Sequence, residues 1–180
     1  ASGTAGTVGH GLSAAPDFII AKSRDQAGTS WVVYYGDNTD YMKLNATTAT
    51  ADDANAWNDT SPSATLFSIG ANGGDTNNDN TTEMIAYCWH NVEGFSKFGS
   101  YIGNGDADGT FVYTGFRPAF VMVKIQTAAE RWYQWDNKRD DDNTVYRYLM
   151  ADSSAIEQTT GYTAGILDFV SNGFKLRNAA

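Results

Sequence analysis

Two histidines, His10 and His90, are the only imidazoles in this chain of 180 residues. Nucleophilic catalysis needs such a base beside a serine or cysteine. His10 stands in the glycine-rich run Gly9-His10-Gly11, and His90 follows Trp89 at the end of an apolar run. Neither belongs to a motif that sets a nucleophile next to it, so both read as solvent-facing or structural. The single cysteine, Cys88, lies in Ile85-Ala86-Tyr87-Cys88-Trp89, where a thiol behaves as a small buried hydrophobe. Glycoside cleavage would require two carboxylates held about 5–9.5 Å apart. Asp136 and Asp168 are the best isolated acids, and Asp168, in Leu167-Asp168-Phe169-Val170, reads as the partner of a turn or an arginine. The chain is therefore expected not to be an enzyme.

Binding chemistry is better represented. The run Asp75-Thr76-Asn77-Asn78-Asp79-Asn80 opens like a calcium loop, with Asp75, Asn77 and Asp79 as alternate oxygen ligands. The match fails at Asn80, where glycine is required, and at Ala86, where the bidentate glutamate should stand. These three residues are the expected metal ligands should calcium bind, and no other cofactor is expected. Residues 140–143, Asp-Asp-Asp-Asn, form a second oxygen-rich turn, preceded by Lys138 and Arg139 as built-in neutralising charge. Of the five tryptophans, Trp57 is the odd one, in the polar stretch Asn55-Ala56-Trp57-Asn58-Asp59. A loop indole flanked by amides and carboxylates suits a sugar, because the ring stacks while the polar groups bond hydroxyls. Asn55, Trp57, Asn58 and Asp59 are the expected ligand-binding set, with simple loop packing as the competing reading.

The elements that must carry these residues are strands. Gly, Asn, Asp, Ser and Thr are abundant, aromatics reach 13%, and little in the chain would hold a surface helix. At this length a core forms without disulfide or metal. A formal charge of −9 with twelve Lys and Arg argues against nucleic acid and anionic membranes as partners. No apolar run approaches the roughly 18 residues that cross a bilayer, and residues 1–20 show no signal-peptide pattern. With no initiator methionine, the chain reads as a processed product or part of something longer. Sequons at Asn45, Asn58 and Asn80 follow from a composition rich in Asn and Thr.

The chain also repeats itself at a spacing of about one hundred residues. Gly11-Leu12-Ser13-Ala14-Ala15-Pro16-Asp17-Phe18-Ile19-Ile20-Ala21-Lys22 answers to Gly115-Phe116-Arg117-Pro118-Ala119-Phe120-Val121-Met122-Val123-Lys124. In the same order, the block at Trp31 matches that at Trp132, Tyr41-Met42-Lys43-Leu44 matches Tyr146-Arg147-Tyr148-Leu149, and Leu66-Phe67-Ser68-Ile69 matches Gly173-Phe174-Lys175-Leu176. The repeat decides residues 127–138, helical by propensity alone, in favour of a strand like its partner at Trp31. Strands are expected near 17–23, 30–35, 40–45, 64–70, 82–90, 110–113, 118–125, 130–136, 144–150, 166–170 and 173–177. The predicted fold is all-β, a β-sandwich or jelly roll built from two related halves, 1–96 and 97–180. Copy one continues into Met84-Ile85-Ala86-Tyr87-Cys88-Trp89, and copy two has no such strand after its fourth block. Either the chain is cut from a longer array, or a neighbouring subunit supplies that strand, a known route to assembly.

These blocks resemble a repeated domain of tail-fibre and appendage proteins of marine bacteriophages. The resemblance rests on residues 101–105 (Tyr-Ile-Gly-Asn-Gly), 115–124, 132–136, Tyr148-Leu149, 168–176 and 84–89, and covers nearly the whole chain. Leu12, where phenylalanine is usual, and the lack of an Asp-Phe pair before Phe67 depart from it. It implies a concanavalin-like or jelly-roll sandwich at the virion surface or in another extracellular setting, with no catalytic residues to carry over. The expected function is a non-enzymatic fibre or surface-appendage module that binds a host-surface glycan or protein and joins a homo-oligomer. The alternative is a structural subunit of an extracellular filament assembled by strand complementation between chains.

Overall fold

The computed structural model describes residues 4–71, 82–159 and 166–178, and these are nearly all β. They form two compact units, one of Ala1–Asn91 with Gln126–Glu130, the other of Val92–Ile125 with Arg131–Ala180.

The first unit runs β1 (Gly6–Gly9), β2 (Phe18–Ser23), β3 (Val32–Tyr34), β4 (Asp40–Lys43), β5 (Ala51–Asp52), α1 (Ala54–Trp57), β6 (Leu66–Ile69) and β7 (Met84–Trp89). Five strands make one antiparallel sheet in the order β5-β4-β3-β2-β7, and β1 pairs with β6. The alternation of strand side chains explains the core. Ile19 and Ala21 of β2 and Val32 and Tyr34 of β3 face inward, where they meet Ala56 and Trp57 of α1 and Phe67 of β6. The β2–β3 centre is apolar in consecutive residues because both faces are covered: Ile20, Val33 and Met42, on the opposite face, are buried too.

The second unit runs β8 (Phe111–Tyr113), β9 (Phe120–Val123), β10 (Tyr133–Asp136), β11 (Leu149–Met150), β12 (Leu167–Val170) and β13 (Gly173–Leu176). Its two antiparallel sheets have the orders β11-β10-β9 and β12-β13-β8. Val121 and Trp135 from one sheet and Leu167, Phe169 and Phe174 from the other share a core with Val145 and Tyr148. Each unit thus has the two-layer, sandwich-like packing that lets sheets bury one face against another.

Differences from the sequence expectation are local. The stretch 127–138 contributes a strand only at Tyr133–Asp136, and Gln126 accepts a backbone bond from Thr50 at 2.9 Å within the first unit. Three short elements, β1, β5 and α1, go unanticipated. β1 is a glycine-rich GTVG with little intrinsic strand preference, held by its ladder to a strand sixty residues on. Among the described residues no helix is long and apolar enough to cross a membrane.

Candidate functional site

The loop expected to hold a sugar folds into a single helical turn. Asp53 caps α1 by accepting the Asn55 N–H at 2.9 Å, and Asn58 closes it in the left-handed region at φ 54°. That turn points Trp57 inward. Its indole is 1% exposed and lies edge-on to Tyr34 at 5.6 Å and Phe67 at 6.5 Å. The expectation of an aromatic sugar platform at Trp57 is corrected here, since a ring sealed in the core has no face left to stack on a ligand. Asn55, Asn58 and Asp59 stay exposed around it, without the ring that was to organise them. The other three, Asp75, Asn77 and Asp79, lie outside the described residues.

The second oxygen-rich turn is committed to its own backbone. Asp140 is buried, accepts the N–H groups of Tyr146 at 3.0 Å and Arg147 at 2.9 Å, and faces the Arg147 guanidinium at 3.4 Å. Beside it, Arg139 bridges Asp136 at 2.7 Å and Glu157 at 2.6 Å. The Glu157 bond holds that guanidinium more firmly protonated than usual. A cavity of about 420 Å³ opens over Asp141, Asp142, Asn143 and Arg147. Of its acids Asp140 is paired with Arg147, and among the described residues no group of three or more acidic, His or Cys side chains could hold a metal ion.

The acids weighed for catalysis are also structural partners. Asp168 accepts Arg177 Nε at 2.6 Å, and Arg177 reaches on to Asp108 at 3.1 Å, which Lys175 meets at 2.6 Å. Asp136 Oδ1 accepts the N–H groups of Lys138 and Arg139 in a local turn. His10 accepts the Leu12 N–H on Nδ1 at 3.1 Å and donates from Nε2 to the Ser63 carbonyl at 3.2 Å. One pairing went unforeseen: Ser13 Oγ lies 3.4 Å from His90 Nε2. The other His90 nitrogen donates to the Asn91 carbonyl at 2.8 Å, an acceptor that stands where a triad places a carboxylate.

A different surface stands out. Alternation along β7 sends Cys88 toward the core, where burial raises its thiol pKa, and turns Tyr87 and Trp89 outward. Those two rings are 43% and 40% exposed and stack at 6.1 Å with 19° between their planes. Phe18, across the ladder, packs beside Trp89 at 5.9 Å. The signal was present in the sequence as aromatics two apart in a strand, which must share a face. Over its whole length, residues 1–180, the chain matches DUF7483, a domain of unknown function. The chain belongs to the DUF7483 family. No curated protein and no solved structure matches it. On this DUF7483 chain the Tyr87–Trp89 face offers a flat, half-open aromatic platform, the kind of surface on which a sugar ring or an apolar side chain stacks.

Proposed function

We propose that the chain is a non-enzymatic module of a virion fibre or similar extracellular appendage, built from two copies of one sandwich-like unit. It presents an aromatic sheet face to a host-surface glycan or protein. The copy relationship is supported by matching registers. β2-β3-β4 and β9-β10-β11 are both antiparallel meanders, and β1 pairs with β6 as β8 pairs with β13. His10 N donates to Thr65 O, and Thr114 N donates to Asn172 O in the same place. Trp31 N donates to Asn45 Oδ1 at 2.9 Å, and Trp132 N to Asp152 Oδ1 at 2.9 Å. These equivalences move one sequence block: Tyr41 answers to Tyr148, since Val33 pairs with Met42 and Gln134 with Leu149. In the two cores Trp57 packs beside Phe67 and Phe169 is paired with Phe174.

The observation that carries the binding role is the exposed Tyr87–Trp89 stack on an uncharged strand. A glycan array probed with the labelled full chain tests it. Retention on one class of glycan, lost at least tenfold in Trp89→Ala and kept in Trp57→Phe, is the expected result. Equal retention by wild type and Trp89→Ala would remove the platform, and release of sugar by the wild type would remove the non-enzymatic assignment. The filament-subunit reading is favoured by one feature of its own, an edge of β9 that no described strand occupies.

A further inference from the structure

β2 and β9 hold corresponding places in the two proposed copies, and among the described strands only β2 has a second neighbour. In the first unit, Arg24 N donates to Glu83 O at 2.8 Å, and the ladder alternates from there. Phe18, Ile20 and Lys22 therefore bond β7, while Ile19 and Ala21 bond β3. In the second unit, Asn137 N donates to Ala119 O at 3.1 Å, so Val121 and Val123 bond β10. Phe120 and Met122 turn their N–H and C=O groups the other way, to an edge that no described strand occupies. Phe120 is 55% exposed there.

β7 is an edge as well. Its residues 85, 87 and 89 face β2, which leaves the backbone groups of Met84, Ala86 and Cys88 on an outer edge with no described strand beside it. Natural edge strands are ordinarily guarded by charge, proline or a bulge. Neither β9, Phe-Val-Met-Val, nor β7, Met-Ile-Ala-Tyr-Cys-Trp, contains a charged residue or a proline, although the chain carries −9 overall. In a chain this acidic, an uncharged edge is a place where a second copy meets little repulsion. β1, β6, β8 and β11 are uncharged edges too, and β9 is set apart by answering to a strand, β2, that has a second neighbour.

We propose that β9 of one copy pairs antiparallel with the outer edge of β7 of a second copy, so that chains join head to tail through continuous sheet. The inference rests on the reading of the two units as copies of one module, and it names the partner as another copy of this chain. The contact uses two different edges. It is therefore heterologous, leaves one free edge of each kind at the ends, and grows as an open chain unless the rotation between copies closes a ring.

Sedimentation and negative-stain imaging of the full chain test it. The wild type gives chains or rings whose length rises with concentration. Phe120→Pro and Ala86→Pro each remove an outward-facing N–H without breaking a ladder bond inside the unit, and each alone stops growth. Mixed in equal amounts, the two variants give dimers and nothing longer, because each contributes one intact edge. Phe120→Lys and Ala86→Lys, which charge the edges and leave the backbone alone, repeat the pattern, and far-UV circular dichroism checks the fold of all four. A wild type that stays monomeric at every concentration overturns the proposal. So does a closed dimer that Phe120→Pro abolishes and Ala86→Pro leaves intact. Glycan retention by a monomer would sink the pairing and leave the binding role standing, and assembly without retention would do the reverse.

Discussion

Replacing Trp57 by alanine separates a core residue from a binding residue in one measurement. The indole is 1% exposed and bounded by Tyr34, Phe67 and Ala56. Emptying such a site removes the transfer free energy of the ring and leaves a cavity, together about 3–5 kcal/mol for Phe or Trp to Ala. Domains have about 5–15 kcal/mol in total, so the first unit of Trp57→Ala should stand close to unfolding at room temperature. An exposed loop tryptophan would instead change stability by about 0.5 kcal/mol or less. Trp57→Phe refines the reading. The buried Nε1–H has no hydrogen-bond partner, and removing an unsatisfied donor returns part of its desolvation cost of about 1–3 kcal/mol. The smaller ring should therefore cost less than about 1.5 kcal/mol net. Urea unfolding followed by far-UV circular dichroism gives both numbers. Because the second unit has its own core, its transition should stay in place. A loss below about 1 kcal/mol for Trp57→Ala, or equal losses for alanine and phenylalanine, would refute the packing argument.

Two further outcomes follow from close approaches and from buried or bonded acids. At Gly70 a Cβ would run into the backbone of Asn55, and at Gly173 into the Val112 carbonyl; Gly70→Ala and Gly173→Ala should each lower the melting temperature by an amount corresponding to roughly 1–3 kcal/mol or more. Gly99→Ala, with nothing within 4 Å of its Cβ, should leave it unchanged. Asp25, Asp37 and Asp108 are held below the usual aspartate range by the Glu83 N–H, the Thr39 N–H and the Lys175 ammonium respectively. A depressed acid stabilises the fold above its unfolded pKa and loses that contribution as pH falls through the folded value, so stability should decline below about pH 4. Tyr34, Tyr35 and Tyr101 are raised, chiefly by burial. Their contribution is complete below the unfolded value and is lost above about pH 10. Thermal melts across that range should show a plateau between the two limits, and a flat profile into strong alkali would contradict the tyrosine burial.

Much of the fold is legible in the sequence because strand alternation and proline punctuation are local signals. Pro16 and Pro118 each precede a four-residue apolar run, and the strands Phe18–Ser23 and Phe120–Val123 follow. What escapes is whatever depends on a distant partner. Tyr146 and Tyr148 are two apart and equally good matches for Tyr41; only the ladder of Leu149 to Gln134 chooses between them. Trp57 misleads for a related reason. Its neighbours Asn55, Asn58 and Asp59 are polar, and nothing nearby reveals that a cap at Asp53 turns the indole toward Tyr34 and Phe67. The Ser13–His90 approach joins residues 77 apart, beyond the reach of any local motif. By contrast the Tyr87–Trp89 platform was readable from spacing alone, once the segment is taken as an edge strand.

The distribution of exposed apolar side chains bears on why the second unit differs from the first. Among the described residues, nine of the thirteen large exposed hydrophobics belong to the second unit, including Phe95, Ile102, Tyr113, Phe120 and Ile156. Scattered exposed apolar residues are ordinary, so the number alone decides nothing. The paired strands do. Phe18 and Phe120 occupy the same position after the same proline, yet Phe18 packs under Trp89 of β7 and Phe120 stands 55% exposed. Side-chain identity is the same in that comparison, and a described neighbouring strand is present only beside Phe18. The exposure of Phe120 goes with an edge that no described strand occupies. A strand laid along β9, from whichever chain, should quench that exposure, and protection of the Phe120 and Met122 amides from hydrogen exchange on assembly is its direct readout. If those amides exchange at the same rate in the assembled and dispersed states, the copies meet through some other surface, and the uncharged edges of β7 and β9 need a different explanation.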